Sequence, residues 1–247
     1  MAARSGSARS SKPRKGSTPP LSALDLGIDL GTTRTVVARA DRGNYPVLSF
    51  TDTNGDPHDY YPSLTALTDD GLVHGFRARR AARQGAPLLR SLKRTLAAPS
   101  VSAASPVALG DRTLGVGEVL VSFLTDLRQE LAASGVLDGA DPGGEDANVV
   151  VAVPAHAYGA QRLLTLDAFR AAGFHVTAML NEPSAAGFEY THRKASTVSS
   201  RRTRVLVYDL GGGTFDTSLV DVNGAAHEVL ASRGLGDLGG DDVDLIL

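Results

Sequence analysis

Two short stretches of this 247-residue chain carry residue types suited to phosphate and a divalent cation. Asp29-Leu30-Gly31-Thr32-Thr33 and Asp209-Leu210-Gly211-Gly212-Gly213-Thr214 each close a hydrophobic run with an acid, then turn through glycine to a hydroxyl. Glycine in a turn admits positive φ and lets backbone N–H groups approach an anion closely. Threonine hydroxyls add further donors for phosphate oxygens. An Asp at such a strand end repels a bare phosphate, so it makes sense with Mg²⁺ between the two, held largely through the ion's waters. Asp29 and Asp209 are the pair for that task. Neither stretch is a Walker loop, because no Gly-Lys-Ser/Thr follows. Neither is a dinucleotide fingerprint, because each runs from strand to strand with no helix behind it. A solitary Asp-Leu-Gly turn also reads as an ordinary hairpin. Three successive glycines are different: their backbone entropy is a cost that a merely structural turn does not demand.

The elements that must position these loops are readable from periodicity. Residues 24–31 alternate strictly, with Leu24, Leu26, Ile28 and Leu30 on one side and Asp25, Gly27, Asp29 and Gly31 on the other. That is a strand of period two. Thr35 to Ala38 is its returning partner, across a tight turn at 31–34. From about 44 to 115 six prolines punctuate short elements, which fits a small inserted subdomain. Leu120, Phe123, Leu124, Leu127 and Leu131 then recur at helical steps, with Gly135 placed to cap the end. The run 148–154 predicts a fully buried strand. Residues 160–172 predict a helix with Leu163, Leu166, Phe169 and Ala172 on one face. Asn181-Glu182-Pro183 opens another helix, since proline is preorganised for a first helical position. Arg204 to Leu210 and Thr217 to Val222 form a second strand pair around the triple-glycine turn. Alternation of strand and helix argues for an α/β fold. The two Asp-Leu-Gly loops form a faint internal repeat, as in two related lobes facing one ligand.

Gly27 to Thr33 and Asp209 to Asp216 resemble the first and second phosphate motifs of the heat-shock protein 70 (DnaK-like) chaperone family. Val151-Ala152-Val153-Pro154-Ala155, Asn181-Glu182-Pro183-Ser184-Ala185-Ala186 and Leu238-Gly239-Gly240-Asp241-Asp242 are similar to further motifs of that family, in family order. Leu92-Lys93-Arg94 stands where the family keeps its catalytic lysine. The resemblance implies an actin-like ATPase (ribonuclease H-like) α/β fold. Residues 23–203 would be the first lobe, with the inserted subdomain at about 44–115, and 204–247 the beginning of the second. It implies ATP/ADP and Mg²⁺ as ligands. Asp29 and Asp209 would hold the waters around Mg²⁺, with Glu182 in the outer shell. Gly31, Thr32, Thr33, Gly211, Gly212, Gly213 and Thr214 would cradle the phosphates. Lys93 would bind the γ-phosphate and orient the attacking water, and Asp216 would support the second loop; Thr214 counts among the catalytic groups too. Such positioning and charge neutralisation are what phosphoryl transfer requires. Pro154 and Arg162 resemble the pair that relays nucleotide state to a substrate domain. Unfolded client proteins, a J-domain co-chaperone and a nucleotide-exchange factor are the implied partners.

The sequence departs from the family at Arg34, where an uncharged residue is usual, and at 155–160, which lacks a polar run. His156 is accordingly expected as a surface side chain, not a catalytic base. The Gly234 to Asp237 turn also differs from the family's Gly-Asp-Thr. The family's adenosine-binding residues and peptide-binding domain lie beyond residue 247, so the chain is expected to be a fragment with impaired ATP hydrolysis. A net charge of −2 argues against a dedicated nucleic-acid binder. No apolar run approaches the roughly 20 residues that span a bilayer. The absence of cysteine excludes disulfides and thiolate metal sites and suits a cytoplasmic protein. Residues 1–22 read as a disordered basic tail, carrying Arg4, Arg9, Lys12, Arg14 and Lys15 and no acid in its first twenty positions. An actin-like filament-forming nucleotide-binding protein is the alternative, since it shares both loops. A small-molecule kinase of the same superfamily and a non-hydrolysing scaffold are more distant readings.

Overall fold

The alternation at the start of the chain folds as β1 (Leu24–Leu30), with its four aliphatic residues buried and Asp25, Gly27 and Asp29 on the opposite face. In this computed structural model residues 24–135, 137, 139–194, 203–224, 226–236, 238–244 and 246 are described. The basic segment 1–22, most of the polar loop at 194–203 and Asp237 lie outside the described residues.

A turn through Gly31, Thr32 and Thr33 leads into β2 (Arg34–Arg39), antiparallel to β1 with Ile28 opposite Val37. Short elements follow in the proline-punctuated stretch: β3 (Phe50–Thr51), β4 (Pro57–His58), β5 (Tyr61–Pro62), β6 (Thr65–Thr68), β7 (Gly71–His74), α1 (Gly75–Arg83), β8 (Leu88–Leu89), α2 (Leu92–Leu96), β9 (Pro106–Leu109) and β10 (Arg112–Gly115). Longer ones succeed them: α3 (Val116–Ala133), β11 (Ala147–Val153), α4 (Gly159–Ala171), β12 (Val176–Asn181), α5 (Glu182–Arg193), β13 (Arg204–Leu210), β14 (Phe215–Asn223), β15 (Ala226–Leu235) and α6 (Gly240–Asp244). Gly135 follows the end of α3 at φ 70°, the left-handed conformation that a helix terminus commonly takes and glycine takes without strain.

The larger sheet has the order β12-β11-β1-β2-β5, with β1, β11 and β12 parallel and β2 antiparallel. The parallel step from β11 to β12 needs a crossover, and α4 supplies it. β5 brings the intervening stretch into this sheet by pairing with β2. The smaller sheet is antiparallel, β13-β14-β15. The core sits between the larger sheet and helices α3 and α4, where Leu26, Ile28, Val149 and Val151 meet Leu120, Leu124, Leu127 and Phe169.

Two readings of the sequence are corrected here. β11 is not buried on both faces: Ala147, Val149, Val151 and Val153 are buried, while the alternate residues are only partly covered. The aliphatic run reflects β-propensity as well as burial. On α4 Phe169 and, just after it, Ala172 are buried and Leu166 packs against the core as expected, but Leu163 is 59% exposed, and Gln161, Thr165 and Ala168 complete the buried face. Small and polar residues at 161, 165 and 168 take the place that Leu163 was expected to fill.

Candidate functional site

The Gly31–Thr33 loop turns sharply enough that Gly31 N–H donates to the Asp29 carbonyl at 3.1 Å, and a Cβ at Gly31 would strike the Arg34 carbonyl. The second is closed by Gly211 N–H donating to the Thr214 carbonyl at 2.9 Å. The two loops, about 180 residues apart in sequence, are packed against each other. A Cβ on Gly212 would collide with the Thr33 side chain, and one on Gly213 with that of Thr32. The glycines are therefore required by close approach rather than by turn geometry alone. The beginning of α6 completes the cluster: Gly240 and Asp241 N–H groups donate to the carbonyls of Gly211 and Gly212 at 2.9 and 2.7 Å.

Charged groups converge beside these loops from four elements. Asp29 and Asp209 lie at the ends of β1 and β13, Lys93 on α2, and Glu182 at the first position of α5. Lys93 Nζ donates to Glu182 Oε1 at 2.6 Å, and both side chains are nearly buried. Burial alone would push the Lys93 ammonium down, but Glu182 and Asp29 outweigh it and its proton is held more tightly than usual. Burial raises the Glu182 carboxyl to about 7, with Lys93 opposing and Asp29 adding to the rise. Asp29 opens onto the cleft, yet protein surrounds it elsewhere; that burial pushes its carboxyl up, Lys93 opposes, and Asp209 adds to the rise. Three carboxylates share this single ammonium: their negative charge holds the Lys93 proton against burial and adds to the rise that burial sets for Glu182.

Asp216 stands directly opposite Asp209 across the β13–β14 ladder. Like charges in that position repel. Burial first, then Asp209, raises the Asp216 carboxyl, against His156. His156 Nδ1 lies 3.0 Å from Asp216 Oδ1, so this histidine is half-exposed but not an idle surface side chain. A cavity of about 280 Å³ opens here, lined by Pro154, Glu182, Asp209, Asp216 and Ser218 among others. At its edge Arg162 donates to the Pro154 carbonyl at 3.1 Å and to Asn181 Oδ1 at 2.6 Å, which fixes the strand end that precedes α4.

Every site residue named from the sequence thus falls in one neighbourhood: Asp29, Gly31, Thr32, Thr33, Lys93, Glu182, Asp209, Gly211, Gly212, Gly213, Thr214 and Asp216. Arg94, which the sequence places beside Lys93 without a role of its own, joins them. Its Nε donates to the Gly213 carbonyl at 2.8 Å, and its Nη2 pairs with Asp242 Oδ2 at 2.5 Å. Ser91 reaches Asp241 similarly at 3.2 Å. The signal in the sequence was Arg94 adjacent to Lys93, set against the acidic pair 241–242; nothing local links them. Among the described residues no three His, Asp or Glu side chains converge as direct ligands of a metal ion. No helix among them is long and apolar enough to cross a membrane.

The family model described as Hsp70 protein matches residues 110–247. The chain belongs to the Hsp70 family. Relatives within reach of this Hsp70-family chain include Chaperone protein HscA of Pectobacterium carotovorum subsp. carotovorum, 34% identical over 257 residues, which cover 96% of this chain and 39% of that protein. Chaperone protein HscA of Edwardsiella ictaluri is 36% identical over 251 residues, with 96% and 39% covered. The HscA homolog of Laribacter hongkongensis is 35% identical over 248 residues, with 94% and 38% covered. The chain therefore spans about 39% of the length of the curated relatives it matches.

Proposed function

We propose that these residues form the phosphate-binding side of the ATP-binding and ATP-hydrolysing module of an Hsp70-type chaperone. The observation that carries this reading is the meeting of the two glycine-threonine loops beside Lys93, Glu182, Asp29 and Asp209. In this reading the fold is the actin-like one, with residues 23–203 as the first lobe and 204–247 entering the second.

Thr32, Thr33 and Thr214, with the backbone of Gly31 and Gly211 to Gly213, bind the phosphate chain of ATP. The neighbouring loop N–H groups and hydroxyls orient its terminal phosphate. Lys93 supplies a charge held by Glu182 against the γ-phosphate and the incoming water, so the nucleophile is positioned instead of chemically activated. Asp216 supports the second loop through its hydrogen bond with Thr214. The residues fit Mg²⁺ in their chemistry: Asp29, Asp209 and Glu182 bring more negative charge than Lys93 offsets, and they would hold the ion through its waters. Magnesium, when bound, supplies neutralisation of phosphate charge there.

As a chaperone module the chain would serve unfolded client proteins, under the control of a J-domain co-chaperone and a nucleotide-exchange factor. The Hsp70 membership and the name of the HscA relatives support this assignment. Titration of Mg·ATP into the chain by calorimetry, and into its Lys93→Met and Gly212→Ala variants, tests the reading. ATP binding that is weakened by Gly212→Ala, and turnover that is lost in Lys93→Met, are expected. Turnover that persists unchanged in Lys93→Met would overturn it.

A further inference from the structure

Asp216 sits on the central strand of the smaller sheet, opposite Asp209 on β13 and Gly234 on β15. Its carboxylate accepts a hydrogen bond from the side chain of Thr214, which ends the second loop. A further partner reaches it from the larger sheet. His156 lies in the turn between β11 and α4, and its Nδ1 stands 3.0 Å from Asp216 Oδ1. Arg162 holds that turn in shape, donating to the carbonyls of Pro154 at 3.1 Å and Ala157 at 3.3 Å, on either side of His156. Gly234 is the floor beneath the pair. A Cβ there would strike both Asp216 Oδ1 and the His156 ring, so the missing side chain is what lets the two meet. The two stretches that depart from the family, 155–160 and 234–237, thus come together on one carboxylate.

The contact is close but not complete. The Nδ1–H is not aligned with Oδ1, which is buried and has no hydrogen-bond donor. A buried acceptor left open is costly, and hydrogen bonds at a binding site are often poorly aligned until the ligand arrives. Burial pushes the Asp216 carboxyl up, and of the groups that oppose this rise His156 comes ahead of Lys93 and Thr214. We infer that His156 is a positioning residue for the second loop: its Nδ1–H anchors Asp216, and Asp216 in turn fixes Thr214. The Thr214 carbonyl closes the loop on the Gly211 N–H at 2.9 Å, so whatever steadies Thr214 steadies the turn. The inference rests on the reading of this loop as a phosphate binder, and adds to it a residue outside the phosphate contacts.

Proton exchange at the Gly211 N–H, read by nuclear magnetic resonance, reports on the loop without any ligand. His156→Ala is expected to speed it about tenfold or more, the size of losing a hydrogen bond to a charged group. His156→Asn places an amide nitrogen where Nδ1 stands and is expected to restore wild-type exchange. His156→Gln places its amide nitrogen where Nε2 stands and is expected to behave as alanine. A role in packing alone predicts the opposite order, because glutamine is the closer match to histidine in size. His192→Ala, at the exposed end of α5, is the control and is expected to exchange as wild type. Unchanged exchange in His156→Ala, or rescue by Gln and not by Asn, overturns the inference. Should circular dichroism show His156→Ala unfolded, the imidazole nitrogen resonances of the wild type decide: a proton on Nδ1 supports the anchor, and a bare Nδ1 sinks it. Calorimetric titration with Mg·ATP separates this inference from the reading beneath it. Binding on the order of tenfold weaker in His156→Ala, and restored in His156→Asn, is expected. Mg·ATP binding that is indifferent to His156 removes this inference and leaves the nucleotide reading standing. A wild-type chain that ignores Mg·ATP, with Gly211 protection still dependent on His156, removes the nucleotide reading and leaves His156 as the anchor of the loop.

Discussion

Lys93 Nζ sits 2.6 Å from Glu182 Oε1, joining α2 to the first turn of α5 across 89 residues of sequence. The pair is nearly closed to solvent, with the two side chains 12% and 14% exposed. Removing one member strands the other's charge, whereas removing both lifts that penalty and leaves Asp29 and Asp209 without the ammonium they also share.

Lys93→Met alone is therefore expected to destabilise the chain by about 3 kcal/mol, and Lys93→Met/Glu182→Gln to recover most of that loss. Urea unfolding midpoints of the wild type, the two single variants and the double variant decide it. A double variant no more stable than Lys93→Met would show that the pair is not energetically linked.

Gly212 and Gly213 press on Thr33 and Thr32 so closely that any side chain must move one loop. Thr32 is buried and β-branched, so it has little freedom to yield. Gly213→Ala is expected to cost about 1–3 kcal/mol through overpacking. Gly31→Ala, whose Cβ meets the Arg34 carbonyl, is expected to be at least as severe because backbone must shift. Thermal midpoints would expose the error if either variant matched the wild type.

What the sequence announced and what it hid follow from the range of the interactions. β1 was legible because its faces differ in polarity at every step, and the Asp29 and Asp209 loops because glycine and threonine have few other reasons to cluster. Glu182 at the start of α5 followed from Pro183 alone. β15 offered no such contrast: Ala226 to Leu235 mixes Glu228, Ser232 and Gly234, and its pairing with β14 shifts register at Leu219/Val220. Arg94–Asp242 and His156–Asp216 depend on chain folding back over long separations, so no local pattern encodes them. On α4 Phe169, Leu166 and Ala172 were legible, but Leu163 is exposed while the polar Gln161 and Thr165 are buried, which apolar periodicity does not signal.

Arg94 ties α2 to the second loop and to α6 at once, through the Gly213 carbonyl and Asp242. Asp242 in turn accepts from the Gly239 N–H at 2.8 Å, and Arg94, the first cause, holds its carboxyl below the usual range. Arg94→Ala should free α6, and amide exchange at Gly240 and Asp241 should speed on the order of tenfold, as expected for loss of a charged hydrogen bond. Hydrogen-exchange mass spectrometry across 238–244 measures this. Protection identical to wild type would mean that the backbone bonds to Gly211 and Gly212, with Ser91 on Asp241, hold α6 without Arg94.

His74 gives the clearest dependence on pH. The ring is buried between Thr65 Oγ1, 3.0 Å from Nδ1, and Ser122 Oγ, 2.8 Å from Nε2. Burial lowers its pKa to about 4; Asp126 opposes this and Arg77 reinforces it. Asp126 is already engaged by the Tyr61 hydroxyl and by Arg77, which leaves it little capacity to stabilise an imidazolium. The folded value lies below the unfolded one, near 6.5, so the unfolded chain binds the proton first as pH falls. Stability from this residue is complete above pH 6.5 and is lost progressively down to about pH 4. The loss reaches about 2 kcal/mol at pH 5 and roughly 3 kcal/mol in full. Urea midpoints measured from pH 7.5 to 4 should decline on that course, and His74→Gln, which keeps hydrogen bonding but cannot titrate, should remove this part of the slope. An unchanged slope in His74→Gln would assign the acid sensitivity to other groups.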